Sequence, residues 1–119
     1  MTTSSTVRAL LCSALALVPA TGCKSAYIAA TVANRTGGPV SLVEVDYPSA
    51  SFGREAVPDN GSFPYRFKII GSGPTKVSWT DAAHHDHTAP GPILYEGQQG
   101  RLRITLTPTG ARWEPELTR

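Results

Sequence analysis

The chain has 119 residues, with 11 Lys and Arg against 9 Asp and Glu and a formal net charge of +2. This near balance argues against a nucleic-acid binder, which normally carries a clustered basic face. The length suits one domain with a modest core, and the 11 Gly and 10 Pro spread along it indicate short elements separated by turns.

The first 22 residues have the three parts of a secretory signal peptide. A start with one basic side chain, Arg8, precedes an apolar run over 9–18. That run is shorter than the ~20 apolar residues that span a bilayer, so it matches the apolar segment of a signal peptide rather than a transmembrane helix. Pro19 ends the run and small residues follow it. We therefore expect export, with cleavage between Gly22 and Cys23.

The window Ala20-Thr21-Gly22-Cys23 resembles the lipobox of bacterial lipoproteins. In that family the cysteine thiol receives a diacylglycerol, the chain is cut before the cysteine, and the new amine takes a fatty acid such as palmitate. The resemblance implies lipid attachment at Cys23 and a membrane anchor, since several acyl chains bind stably. Ala20 departs from the Leu or Val that the family prefers, which leaves a secreted or soluble periplasmic protein as the alternative.

Cysteine usage agrees with this interpretation. Cys12 leaves with the signal peptide, so no intramolecular disulfide is expected in the mature chain. Acylation of Cys23 also removes a free thiol from an oxidising compartment. Lys24 follows the cysteine, and by resemblance to the enterobacterial sorting rule a residue other than Asp there implies the outer membrane. Residues 23–26 form only a short tether.

From residue 27 onward the chain reads as all β, because apolar and polar residues alternate with a period of two. Pro64, near the start of one predicted strand, indicates either an edge strand or the first residue of a strand. We predict one domain over 27–114, a loop over 49–53 and a disordered tail over 115–119. Strands are predicted over 27–34, 40–47, 54–57, 63–69, 76–80, 88–92, 93–95, 101–107 and 111–114.

Short strands with frequent turns favour an antiparallel two-sheet sandwich, immunoglobulin-like but without the disulfide, with a small β-barrel as the alternative. The chain resembles small bacterial lipoproteins that pair a lipobox with one β-sandwich. The lipobox resemblance covers 20–23, and the sandwich resemblance covers the alternating strands after it. The second likeness is one of architecture and implies no activity.

One cluster of candidate metal ligands lies in a polar turn that gathers all three histidines. Imidazole nitrogens with carboxylates suit Zn, Ni or Cu, and His85 and His87 share a face if a strand resumes there. The alternative is a solvated turn, and no distant histidine completes a catalytic cage. The candidate ligands are Asp81, His84, His85, Asp86 and His87.

No catalytic constellation accompanies this cluster, because Ser51-Phe52-Gly53 is not a nucleophile elbow. Four basic residues form a stripe if their strands are neighbours, but we favour a solvated outer face beside the acidic Glu44 and Asp46. We expect a non-enzymatic, membrane-tethered structural or protein-interaction module with an envelope protein as partner, and an envelope metal-binding protein as the alternative. The stripe residues are Arg66, Lys68, Arg101 and Arg103.

Overall fold

The computed structural model describes residues 26–119. The expected signal peptide, its cleavage site at Gly22 and the lipid attachment at Cys23 lie outside the described residues. The described residues form strands and no helix. The strands are β1 (Ile28–Asn34), β2 (Val40–Tyr47), β3 (Ala50–Val57), β4 (Ser62–Phe67), β5 (Lys76–Thr80), β6 (Asp86–Pro90), β7 (Gln99–Thr107) and β8 (Gly110–Thr118).

Two four-stranded sheets pack face to face, with strand orders β4-β1-β7-β8 and β3-β2-β5-β6. Neighbouring strands are antiparallel except β1 and β7, which are parallel. The predicted two-sheet sandwich is confirmed, and within residues 26–119 no ladder joins the sheets into a barrel. The first two strands of an immunoglobulin domain are neighbours, whereas β1 and β2 lie in opposite sheets. The immunoglobulin likeness is therefore one of architecture and not of strand order.

The core lies between the sheets and follows the alternation of the sequence. The parallel register sets Ala30 beside Leu102 and Val32 beside Ile104, all buried. Burying an aliphatic side chain of this size stabilises the fold by about 1.5–3 kcal/mol. The facing sheet contributes further buried side chains, among them Val45, Phe52, Val57, Val77 and Trp79.

A β-bulge at Leu42 keeps the apolar face of β2 turned inward. Val40 and Val43 are both buried, although a spacing of three puts residues of a regular strand on opposite faces. Leu42 has a φ of 51° and an exposed side chain, and the β2–β5 register shifts at this point. The extra residue restores the alternation, as bulges do.

The loop predicted over 49–53 is wrong, because most of it belongs to β3 (Ala50–Val57). A two-residue turn at 48–49 reverses the chain directly into the strand. Phe52 is 6% exposed and packs into the core, which gives the segment a buried side. Gly53 lies so close to the carbonyl of Val43 that a side chain has no room there. The residues on either side of Phe52 are exposed, and their composition is that of a loop, which is why the sequence predicts one here.

The disordered tail predicted over 115–119 is also wrong. β8 pairs with β7 along its whole length, from Thr107 opposite Gly110 to Gln99 opposite Thr118. Leu117 packs against the core from this strand. Proline is tolerated on edge strands, so the Pro115 of the edge strand β8 does not stop it. The same rule confirms the edge alternative predicted from Pro64, since β4 ends the other side of this sheet.

Two other predicted strands change in extent. The strand predicted over 88–92 begins earlier, as β6 (Asp86–Pro90). The strand predicted over 93–95 is reduced to one bridge between Gly73 and Leu94. Of its three large side chains only Leu94 points inward, at 2% exposed, while Ile93 and Tyr95 are exposed.

The sandwich has two ends with different loops. Ile28, the first residue of β1, lies opposite Phe67 and Gly100, and Asn34 ends β1 at the far side. The Tyr27 end therefore comprises Tyr27, the adjoining strand ends, residues 118–119, the turn at 48–49 and the loops at 68–75 and 91–98. The Asn34 end comprises the loops at 35–39, 58–61, 81–85 and 108–109 with the adjoining strand ends.

Candidate functional site

The histidine-rich turn lies at the Asn34 end and joins β5 to β6. Its ends are closed by a hydrogen bond from the backbone N of Asp81 to the carbonyl of His85, at 2.9 Å. The carboxylate Oδ1 of Asp81 accepts hydrogen bonds from the backbone N of Ala83 and of His85, at 2.9 and 3.0 Å. His84 takes a positive φ of 64° at the tip. Asp at the first position of a turn commonly binds the following backbone in this way.

The other carboxylate oxygen of Asp81 holds a histidine across the turn. Its Oδ2 lies 2.7 Å from Nε2 of His87, which has returned into β6. The His87 ring stacks on the indole of Trp79, with centroids 5.1 Å apart and planes 10° from parallel. The hydrogen bond with His87, helped by the backbone N of His85 and of Ala83, lowers the pKa of Asp81 to about 2. The carboxylate is therefore ionised at neutral pH.

The structure brings together only part of the predicted metal-ligand set. Besides the Asp81–His87 pair, His85 Nδ1 lies 3.9 Å from Asp81 Oδ2, on a side chain that is 78% exposed. Asp86 instead accepts a hydrogen bond from the Thr80 hydroxyl at 2.7 Å. Within residues 26–119, no three His, Cys, Asp or Glu side chains gather in an arrangement that holds a metal ion. His85 precedes the start of β6, so the expected strand alternation with His87 does not apply.

A cleft of about 240 Å³ opens beside the Asp81–His87 pair. It is bounded by three segments of the Asn34 end: the β1–β2 loop, the β5–β6 turn and the β7–β8 turn. Polar groups and the nearly buried Trp79 line it. The lining residues are Thr36, Gly37, Gly38, Trp79, Asp81, Ala82, Ala83, His87, Thr107 and Pro108.

Asn34, which is fully buried, does not line this cleft but holds in place the β1–β2 loop, whose residues Thr36, Gly37 and Gly38 form one of its walls. Its Nδ2 donates to the carbonyl oxygens of Gly38, Val57 and Pro58, at 2.8, 3.3 and 3.1 Å. Its Oδ1 accepts from the hydroxyl and the backbone N of Thr36, at 2.7 and 3.1 Å. The side chain thus ties the β1–β2 loop to the end of β3 in the opposite sheet. The sequence analysis missed this role, although Asn followed by Thr and two Gly is typical of such a turn.

The predicted basic stripe is only partly formed. Arg66 and Arg101 both lie opposite Ala29, on either side of β1. Arg101 pairs with Glu116 at 3.4 Å, and Arg103 lies opposite Glu114. The two acidic side chains of the edge strand β8 lie beside the arginines of β7, so the charges are mixed, as expected of a solvated face.

Comparison with known proteins identifies a fold and no family. No protein-family model matches the chain, and no curated protein matches it. The chain is similar to the NMR structure of a protein from Eubacterium rectale, with a TM-score of 0.59 and 10% identity over 77% of this chain and 90% of that one. A likeness at this identity shows the fold alone. Within residues 26–119, the structure has no helix long and apolar enough to cross a bilayer.

Proposed function

We propose that this protein is an exported lipoprotein of the bacterial envelope, cut before Cys23 and held to the membrane by acyl chains on that residue. Its β-sandwich acts as a non-catalytic module that binds an envelope partner. The outer membrane is the proposed site, because Lys24 rather than Asp follows the cysteine. The support comes from the lipobox resemblance and from the position of the folded domain relative to it.

The observation that carries the proposal is the short path from Cys23 to the sandwich. Ile28, which starts β1, comes five positions after Cys23. Five extended residues reach about 17 Å at most, so an acylated Cys23 keeps the Tyr27 end close to the bilayer. β1 then runs about 23 Å away from it, given the rise of a strand. The cleft at the Asn34 end is thereby turned toward the envelope space, where a partner is accessible.

A binding role for the cleft agrees with the way its polar groups are used. Nε2 of His87 is engaged by Asp81, and the same carboxylate holds the backbone of the turn. The pair therefore supports a rigid rim beside Trp79 that suits the binding of a partner.

The anchor is tested by fractionating cells that express the wild type, Cys23→Ala and Cys12→Ala. Wild type and Cys12→Ala are expected in the membrane pellet after a high-salt wash, because Cys12 leaves with the signal peptide. Cys23→Ala is expected in the soluble fraction with an unchanged urea midpoint. If Cys23→Ala protein that has lost residues 1–22 stays in the membrane fraction, Cys23 is not the anchor.

A second candidate is an envelope metal-binding protein that uses His84, His85 and His87. The observation in its favour is that Asp81 Oδ2 lies within 3.9 Å of ring nitrogens of both His85 and His87. Titration calorimetry with Zn, Ni and Cu on the wild type and on a variant with all three His→Ala substitutions decides it. Equal heats at micromolar metal would eliminate this candidate.

A further inference from the structure

The Tyr27 end carries most of the large apolar side chains that the described residues leave exposed. Ile70 is 66% exposed and Ile93 is 51% exposed, and Tyr95 and Tyr27 follow at 42% and 39%. Only Leu42 and Tyr65 among the exposed large hydrophobic residues lie elsewhere. Exposed apolar side chains that cluster at one place commonly mark an interaction surface.

The loops that present these side chains are joined to each other. The backbone N of Gly71 donates to Glu96 Oε1 at 2.9 Å, and the backbone N of Glu96 donates to the Ser72 hydroxyl at 2.9 Å. The backbone N of Ile70 reaches the hydroxyl of Ser49 at 3.3 Å. The loops at 68–75 and 91–98 thus form one platform that holds Ile70 and Ile93 outward.

Basic side chains surround this platform. The guanidinium group of Arg66 lies 4.3 Å from the centre of the Tyr27 ring, and that of Arg119 lies 4.7 Å from the centre of the Tyr95 ring. Each pair presents an aromatic ring and a cation together, a combination that suits the boundary between lipid headgroups and acyl chains. The basic residues of the Tyr27 end are Arg66, Lys68, Lys76, Arg101 and Arg119.

Acidic groups at this end are fewer and are engaged. Asp46 pairs with Lys76 at 3.6 Å and Glu116 pairs with Arg101 at 3.4 Å, while Glu96 accepts the Gly71 amide. The Asn34 end has the opposite balance, with Asp59, Asp81 and Asp86 against Arg35 and Arg112. The charge of the sandwich is therefore polarised along β1, with its positive side at the Tyr27 end.

We propose that the Tyr27 end rests on an anionic lipid surface, with Ile70, Ile93 and the two tyrosines among the headgroups and the basic side chains against lipid phosphates. This inference rests on the proposed anchor, which brings this end within about 17 Å of the bilayer. A lipid surface is favoured over a protein partner because the tether leaves little room for a protein between this end and the membrane. Basic residues beside apolar ones are the usual composition of a surface that binds anionic lipid.

The test uses the full-length protein extracted from membranes and reconstituted into vesicles. One set is phosphatidylcholine alone and the other contains added phosphatidylglycerol. Flotation reports anchoring, and hydrogen exchange with mass spectrometry reports contact. We expect amides at 68–73 and 93–98 to exchange several-fold more slowly on the anionic vesicles than in detergent, with the effect reduced by salt. Amides at 35–39 and 81–85 are the internal control and are expected to be unchanged.

Matched variants separate surface contact from general destabilisation. Ile70→Ser combined with Ile93→Ser is expected to abolish the slowing at both loops without altering the urea midpoint. Leu42→Ser removes a side chain that is 64% exposed but lies away from this end, and it is expected to keep the slowing. Lys68→Gln is expected to reduce the difference between the two vesicle types.

The outcomes distinguish the two proposals. Flotation without slowed exchange overturns the lipid-surface inference and leaves the anchor intact. Slowed exchange of equal size on both vesicle types overturns the anionic preference. Native envelope vesicles are a third sample, and slowing in that sample alone overturns the lipid-surface inference in favour of a protein partner. If the protein does not float with the vesicles, the proposed anchor is contradicted, and so is the lipid-surface inference that rests on it.

Discussion

The carboxylate of Asp81 lies 2.7 Å from Nε2 of His87, six positions further along the chain, and so joins the two sides of the β5–β6 turn. The same carboxylate accepts backbone hydrogen bonds within the turn. One acidic side chain thus fixes the backbone of the turn and orients the His87 ring against Trp79. The histidine-rich segment, which the sequence presents as a candidate metal site, is in the structure a closed turn at the rim of a cleft.

Because of this contact, the free energy of unfolding is expected to depend on pH through the ionisation of Asp81. The folded-state pKa of Asp81 is lowered from 3.8 to about 2, so its stabilising contribution is fully present above about pH 4 and is lost as pH falls toward 2. Asp81→Asn is expected to lower stability at neutral pH and to flatten the decline between pH 4 and pH 2. Urea unfolding followed by tryptophan fluorescence at stepped pH measures both effects.

His87→Phe is the companion variant for this prediction. It keeps an aromatic ring against Trp79 but removes the largest cause of the lowered Asp81 pKa. The acid-dependent decline in stability is therefore expected to be smaller than in wild type, though still larger than in Asp81→Asn. An equally steep decline in all three proteins contradicts the role given to Asp81.

Asn34 is predicted to be the most sensitive polar residue of the sandwich. Asn34→Ala leaves the carbonyl oxygens of Gly38, Val57 and Pro58 without their side-chain donor in a site that is 0% exposed at Asn34. The expected loss of unfolding free energy is about 2–4 kcal/mol. Thr36→Val removes a single hydroxyl from the same network and is expected to cost about 1 kcal/mol. Similar urea midpoints for the two variants would show that Asn34 has no special role.

Truncation after Glu114 tests the assignment of the C-terminal residues to β8. The deletion removes the pairing of 115–118 with β7 and the packing of Leu117 on the core. We expect a loss of about 2–4 kcal/mol, from several backbone hydrogen bonds and one partly buried leucine. Deletion of Arg119 alone is the control, because it lies beyond the strand. A truncated protein as stable as wild type would support the disordered tail predicted from the sequence over 115–119.

The bulge at Leu42 predicts a stabilising substitution. A leucine at a φ of 51° is strained, because its Cβ approaches the following carbonyl. Leu42→Gly and Leu42→Asn are expected to raise the unfolding free energy by about 0.5–1 kcal/mol, since both residues tolerate this conformation. Leu42→Ala keeps the Cβ and gives no such gain. Destabilisation by Leu42→Gly in thermal unfolding would show that the bulge carries no strain.

The sequence predicts the sandwich well where most of a strand alternates between buried and exposed residues, as β5 does and as β2 does on either side of its bulge. β2 and β5 have the predicted bounds, because Val45 and Val77 alternate with polar neighbours. The prediction fails in β3, where Phe52 is the buried side chain of a largely polar segment. It also fails in β8, where pairing with β7 stabilises the strand. These contacts join residues that are far apart in the chain, and local patterning does not contain them.

The candidate site, like the fold, is predicted from the sequence only in part. The composition of the turn at 81–87 indicates its location and its polarity. The single pairing of Asp81 with His87 and the stack of His87 on Trp79 both depend on the register between β5 and β6. A one-residue shift of β6 would move His87 to the opposite face, so no spacing rule applied to the sequence selects it.

Intact-mass analysis of the mature protein, extracted from the membranes of the cells that produce it, tests the central proposal most directly. The account predicts a chain that begins at Cys23 and carries the added mass of a diacylglycerol, with a fatty-acyl group on the new amine. A chain in the soluble fraction that begins near residue 23 with an unmodified cysteine, or one that retains residues 1–22, would contradict it.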